Sequence, residues 1–188
     1  MTLGRLSIIA VLAIGGYQYW HSHHIRAPVA GIAASMDRAW NAYGYAITPL
    51  EKFNFEARVL RTERYSLDRQ AQLAPVDLAL GWGPMANPSV IAKIKITQSN
   101  RFYYWHVDEF PIPRREIEVN SANMHMVAAS ADVERTLRDL QPGQRVRPAG
   151  YLIEARAPDG WRWRSSLSRE DTGAGACELV WVESITVL

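Results

Sequence analysis

The chain has 188 residues, of which 21 are Lys or Arg, 19 are Asp or Glu and one is Cys. That length supports one domain whose core needs no disulfide or metal staple, and the lone Cys177 excludes an internal disulfide framework and a Cys-rich zinc site. An apolar share of 48% with 21% charged residues excludes wholesale disorder. Only Arg5 and Arg26 precede residue 27 and no acid precedes Asp37, so from residue 27 onward the two signs are equal in number. A domain of balanced charge is a poor binder of duplex nucleic acid, which needs an extended positive field facing phosphates, so no duplex partner is expected.

Leu6 to Trp20 reads LSIIAVLAIGGYQYW and carries no charge. A full membrane span takes about 17–25 residues, and Tyr17, Tyr19 and Trp20 stand where interfacial aromatics lengthen it. A cleaved signal peptide needs a small-x-small site close behind the apolar stretch, but YQYWHSHHIRAP puts bulky and basic residues there. A buried soluble helix needs a polar face, which this segment lacks. The expectation is an uncleaved single-pass anchor: residues 1–26 form a short tail, a transmembrane helix and a juxtamembrane collar. A short tail ahead of the span and a long domain behind it place that domain outside the cytoplasm.

Residues 27–50 read as a juxtamembrane helix and linker. Ile32, Met36, Trp40 and Tyr43 recur at helical spacing after Pro28, and Gly44 is the stop. Residues 51–188 read as a single β-rich soluble domain. Phe53, Phe55, Ala57 and Val59 alternate with polar residues as in a half-buried strand. A polar connection follows over 61–72, then Pro75 to Leu80 leads into the GWGPM turn. Asn87-Pro88 opens a short helix with Val90, Ile91 and Ile94 as its apolar face. Lys95 to Asp108 predicts a hairpin, broken at Ser99-Asn100, with an aromatic second strand. Ile117 to Val127 predicts another strand. Ser130 caps a helix that buries Val133, Leu137 and Leu140 and stops at Pro142-Gly143. Three terminal strands are expected over 146–155, 160–167 and 177–187, the first two joined by an Asp159-Gly160 turn. The predicted class is α+β: a mostly antiparallel β domain with two or three short helices behind the anchor.

The run QPGQRVRPAGYLIEA (141–155), with GWRWRSSLSR (160–169) and GACELVWVESI (175–185), resembles part of a small OB-type barrel. More broadly, LGWGPM (80–85), IPRREIEVNSANMH (112–125) and GWRWRSSLSREDTGAGACELVWV (160–182) resemble an uncharacterised family of bacterial proteins with an N-terminal membrane anchor. The resemblance implies a bacterial inner-membrane location, with the soluble domain on the periplasmic side. It implies no chemistry.

Asp171-Thr172-Gly173-Ala174 matches the aspartic-protease signature, but no apolar strand precedes it and 14 residues after it are too few for a protease lobe. It reads as a glycine-rich loop. His21, His23 and His24 read as a headgroup-facing collar, and His106 with Asp108 supplies two metal ligands at most. His125 lies between Met124 and Met126, which project to the opposite face of a strand and so do not share a site with it. No metal or other cofactor is expected, and there is no P-loop or dinucleotide fingerprint. Cys177 is in phase with Leu179 and Trp181, as a buried, inert thiol would be. Trp161-Arg162-Trp163-Arg164 puts two indoles on one strand face and two guanidiniums on the other. The indoles form either an aromatic platform or core, and the arginines are set to pair with Glu154 or Glu178. The polar segment 112–125 completes the expected ligand site: Arg114, Arg115, Asn123 and His125, with Trp161 and Arg164 nearby. The function expected is a membrane-anchored, extracytoplasmic binding or scaffold domain that meets a protein or envelope ligand. One alternative is an envelope-acting hydrolase or transferase with His125 as base and Arg114 or Arg115 holding an anionic group, which requires those groups to converge in a pocket. A single-stranded nucleic-acid module is a second, if the domain is cytoplasmic.

Overall fold

Period-two burial marks the short strand Trp40–Ala42 and the first halves of two longer strands, Tyr45–Asn54 and Arg145–Arg156. The structure, a computed structural model, describes residues 38–168 and 177–188. The expected anchor, the start of the juxtamembrane helix, the three collar histidines and Asp171–Ala174 lie outside the described residues. No described helix is long and apolar enough to cross a membrane. The described strands are β1 (Trp40–Ala42), β2 (Tyr45–Asn54), β3 (Ala57–Arg64), β4 (Val76–Gly81), β5 (Lys95–Ser99), β6 (Phe102–His106), β7 (Ser121–Ala128), β8 (Arg145–Arg156), β9 (Arg162–Arg164) and β10 (Glu178–Val187). The described helices are α1 (Arg69–Leu73), α2 (Pro88–Ile91), α3 (Arg114–Val119) and α4 (Ala131–Asp139).

Five strands close into a ring in the order β3, β4, β7, β10, β8 and back to β3 through Ala57↔Val146 and Arg58↔Arg145. Its pairs are antiparallel except β7 with β10, which run parallel with Leu179 opposite His125. A parallel pair needs a long crossover, supplied here by α4, β8 and β9. Tight closure depends on Gly150, because a Cβ there would lie 1.9 Å from the Trp181 carbonyl oxygen. The β8–β10 register shifts between Val182 and Ser184, a bulge that bends the pair where the ring turns.

Val59, Val76, Leu78, Leu80, Met124, Met126, Leu152, Val180 and Val182 fill the ring, and α4 caps it with Val133 and Leu137. Ser130 starts α4 by accepting a hydrogen bond from the Val133 N–H at 3.3 Å, as expected from the sequence. Outside the ring, Tyr151, Ile153, Leu179 and the fully buried Trp181 pack with Trp40 and Ile47. On another outer face Ala79 packs with Met85, Ile94 and Ile117, beneath Ile96 and Tyr103 of the β5–β6 hairpin.

The juxtamembrane helix expected over 28–43 does not reach its end. Trp40 and Ala42 are buried with Asn41 exposed between them, a period of two. Tyr43 and Gly44 have φ of 54° and 80° and close a two-residue hairpin into β2. Residues 40–50 therefore belong to the sheet, and the domain begins well before residue 51. The polar connection at 61–72 is also shorter than expected, since β3 runs to Arg64 and α1 follows the Asp68 cap. The strand expected from Ile117 begins only at Ser121, because α3 buries Ile117 first. The described α-helices thus number four rather than two or three, beside a 3-10 turn at Gly83–Ala86, and the two unexpected ones are too short to show a helical period.

Candidate functional site

Strand alternation turns Asp77, Asn123 and His125 away from the ring, onto the outer face of β4 and β7. All three are buried, His125 to 2% exposure. An Asp77 carboxylate oxygen accepts from Arg101 Nη1 at 2.9 Å and lies 2.9 Å from His125 Nδ1. Its other oxygen accepts from Asn123 Nδ2 at 3.2 Å. Burial of a carboxylate demands this kind of saturation.

Arg101 reaches the site from the β5–β6 turn, where Asn100 and Arg101 both have positive φ. Its Nη1 also donates to the Ala74 carbonyl at 2.8 Å, and its Nη2 to Asp68 at 3.3 Å. The guanidinium lies 3.8 Å from the Tyr65 ring centroid. Asn123 Nδ2 also donates to the Arg101 carbonyl, and Gln98 Nε2 donates to Asn123 Oδ1 at 2.6 Å. The hairpin is thereby tied onto the barrel through polar groups. His125 is closed from the other side by Trp163, whose ring centroid is 4.8 Å away. A general base must reach the proton it takes; here one ring nitrogen meets Asp77 and the imidazole is walled in by Trp163.

Asn123 and His125, which the sequence reading grouped together, both meet Asp77, whose other partner is Arg101, and Trp163 covers His125. Arg114 and Arg115 do not join them. Both are exposed on α3, Arg114 donating to Glu118 at 2.8 Å and lying 5.8 Å over Trp105, while Arg115 Nη1 is 4.0 Å from Glu118. Glu118 on α3 and Trp105 on β6 meet these arginines, whereas Asp77 and Trp163 meet His125. The physical reason is α3, which holds Arg114 and Arg115 on a helix that takes the start of the expected 117–127 strand and ends before β7 begins.

Trp161 and Arg164 take opposite faces of the sheet, as alternation requires. Trp161 packs 5.3 Å from Tyr45, and Arg69 lies 4.7 Å over the indole. Arg69 is held by a bidentate pair with Asp159 at 2.8 and 2.9 Å, which keeps the Asp159 carboxyl below its ordinary range. Arg164 donates to Glu154 at 2.9 Å, Arg162 to the same oxygen at 2.5 Å, and Arg156 to the other oxygen. Burial alone would raise the Glu154 carboxyl, but hydrogen bonds from the three guanidiniums outweigh it and hold the group at about 2.

Cys177 is half-buried, its sulfur 4.0 Å from the Arg101 carbonyl oxygen. Burial, then the Glu178 and Asp77 charges, push its thiol up to about 11, so it is a poor nucleophile at neutral pH. His106 lies 3.5 Å from Asp108 and is exposed. Among the described residues no three His, Cys, Asp or Glu side chains group as a metal site. A cleft of about 460 Å³ borders Arg101, lined by Tyr65, Leu67, Asp68 and Gln70. The residues that sequence reasoning missed are Asp77, Tyr65 and Arg101. Asp77 did leave a signal, a carboxylate inside the otherwise apolar run VDLAL. Arg101 left none, because its role follows from a turn geometry.

Comparison with protein-family models, curated proteins and solved structures finds no match to this chain.

Proposed function

We propose that this chain is a membrane-anchored, extracytoplasmic binding or scaffold domain built on an OB-type barrel. Support for the barrel type comes from the five-strand ring, in which β8 returns beside β3 after the β3–β4–β7 meander, a Greek-key path. OB-type barrels commonly bind ligands on the face of their second and third strands. In this chain those strands are β4 and β7, and the β5–β6 hairpin already occupies that face with Arg101, Gln98 and Tyr103. That arrangement speaks against single-stranded nucleic acid lying there.

The observation that carries the binding reading is the state of the buried Asp77–His125 pair, a constellation suited to acid–base work. His125 and Asp77 are buried, mutually bonded and covered by the chain's own Arg101 and Trp163. Side chains left open to a partner lie instead on the rim, where Leu67 is 66% exposed beside the Arg101 cleft and Tyr104 is 50% exposed on β6. The test is in-cell photocrosslinking from a photoreactive residue at Leu67 or at Tyr104 in the full chain. The expected result is a discrete adduct of fixed mass, retained in a folded His125→Gln variant. Absence of adducts from both positions, together with a hydrolytic activity lost in His125→Gln, would overturn the reading.

A further inference from the structure

The exposed face of the β1–β2–β8–β9 sheet carries three arginines around one acid. Register pairs Asn41 with Ala46, Ala46 with Arg156, and Arg156 with Arg162, so these residues lie in one row across four strands. The next row on the same face is Thr48, Glu154 and Arg164. Asn41, Ala46 and Thr48 are small, exposed and uncharged, leaving the arginines open above a flat floor. The Arg156, Arg162 and Arg164 side chains stay 60%, 50% and 45% exposed, while Glu154 is buried beneath them. One carboxylate cannot neutralise three guanidiniums, so among the described residues the cluster keeps an excess of positive charge. Glu51 and Lys52, further along β2, add one charge of each sign.

The placement of this cluster relative to the tether selects its partner. Described chain begins at exposed Arg38 and enters the sheet at Trp40. At a strand spacing of about 4.8 Å, Arg162 lies roughly 14 Å from Asn41. Residues 21–37 can span at most about 60 Å from the apolar stretch, which keeps this face, beside the point where the tether enters the sheet, within reach of the bilayer. We propose that Arg156, Arg162 and Arg164, held in place by Glu154, dock the domain onto anionic phospholipid headgroups. This rests on the anchored reading above. Arg suits the task because its planar fork meets phosphate oxygens in pairs while remaining charged.

The test uses the full chain reconstituted in vesicles of phosphatidylcholine alone or with about a third phosphatidylglycerol. In a Cys177→Ser background, Thr48→Cys carries a fluorophore and the lipids carry a headgroup quencher. A second label at Asp139→Cys reports the α4 end, which packs near Val146, roughly 26 Å along β8 from Glu154. The expected result is quenching at Thr48 but not at Asp139, only in anionic vesicles, and lost in 0.5 M salt. Arg156→Gln lowers the docked-to-free ratio about fivefold, the effect of one basic charge near an anionic surface. Arg162→Gln with Arg164→Gln and Glu154→Gln, a net loss of one positive charge, lowers it by a similar factor without leaving an unpaired buried acid, and a circular-dichroism melt shows that the variant folds. Glu154→Gln alone strengthens docking, which a purely structural cluster would not do. Equal quenching in both vesicle types, or indifference to these substitutions, would overturn the proposal. Failure of the unsubstituted chain to float with neutral vesicles would instead overturn the anchor, and Arg-dependent flotation with anionic vesicles would still sustain the docking patch.

Discussion

His125 Nδ1 lies 2.9 Å from the Asp77 carboxylate, and both side chains are buried on the outer face of the barrel. The pair is a cross-tie of the fold, because the same carboxylate holds Arg101 from the β5–β6 turn. Asp77→Ala leaves a buried guanidinium with only the half-exposed Asp68 as an acid, and the expected loss is about 3 kcal/mol by urea denaturation. The double variant Asp77→Ala with Arg101→Ala should lose less than the sum of the single variants, by at least about 1 kcal/mol. Strict additivity would show that the two side chains act independently.

Gly150 offers a separate check on barrel closure. Any Cβ there meets the Trp181 carbonyl oxygen at 1.9 Å, and neither partner is a flexible side chain. Gly150→Ala should destabilise the domain by about 3 kcal/mol, the upper end of overpacking effects. An unchanged denaturation midpoint would mean that β8 and β10 do not approach as closely as the ring requires.

Much of the strand content was legible where burial alternates, as at the end of β2 with Phe53 buried and Lys52 and Asn54 exposed, whereas β4 is buried on both faces. The hairpin around Ser99-Asn100, the Asn87 and Ser130 caps and the strand from Glu178 follow from patterns that extend over several residues. Trp40 and Tyr43 misled for the opposite reason: their spacing fits both a helical face and the two ends of a short strand and turn. The α3 helix was hidden because one buried residue, Ile117, cannot establish a period. Half of the polar site was legible as a concentration of hydrogen-bonding residues before Met126. The rest was not, since Asp77 and Arg101 reach it from segments 48 and 24 residues away from His125 along the chain.

Glu154 predicts a pH dependence whose sign is fixed. Its folded carboxyl is held at about 2 against an ordinary 4.5, by the three arginines acting against burial. The stability it contributes is complete above about 4.5 and is lost as the pH falls from there through about 2. Stability curves measured over that window should be shallower for Glu154→Gln than for the unsubstituted chain. A slope unchanged by the substitution would show that Glu154 is not held ionised by the arginines.

Cys177 should react slowly in the folded protein. With its thiol pushed up to about 11, thiolate is scarce at pH 8 and alkylation by iodoacetamide should lag well behind that of the urea-unfolded chain. The folded rate should climb as the pH rises towards 11. Fast labelling at pH 7 would mark an activated thiol and reopen the question of a nucleophile in this site.

The central claim is a domain tethered by its N-terminal segment and displayed outside the cytoplasm, and membrane topology tests it most directly. A C-terminal tag on the full chain should be digested when protease is added to cells whose outer barrier is opened but whose cytoplasmic membrane is intact. The N-terminal segment should stay in the membrane fraction. Protection of the tag until the cytoplasmic membrane is lysed would contradict this account.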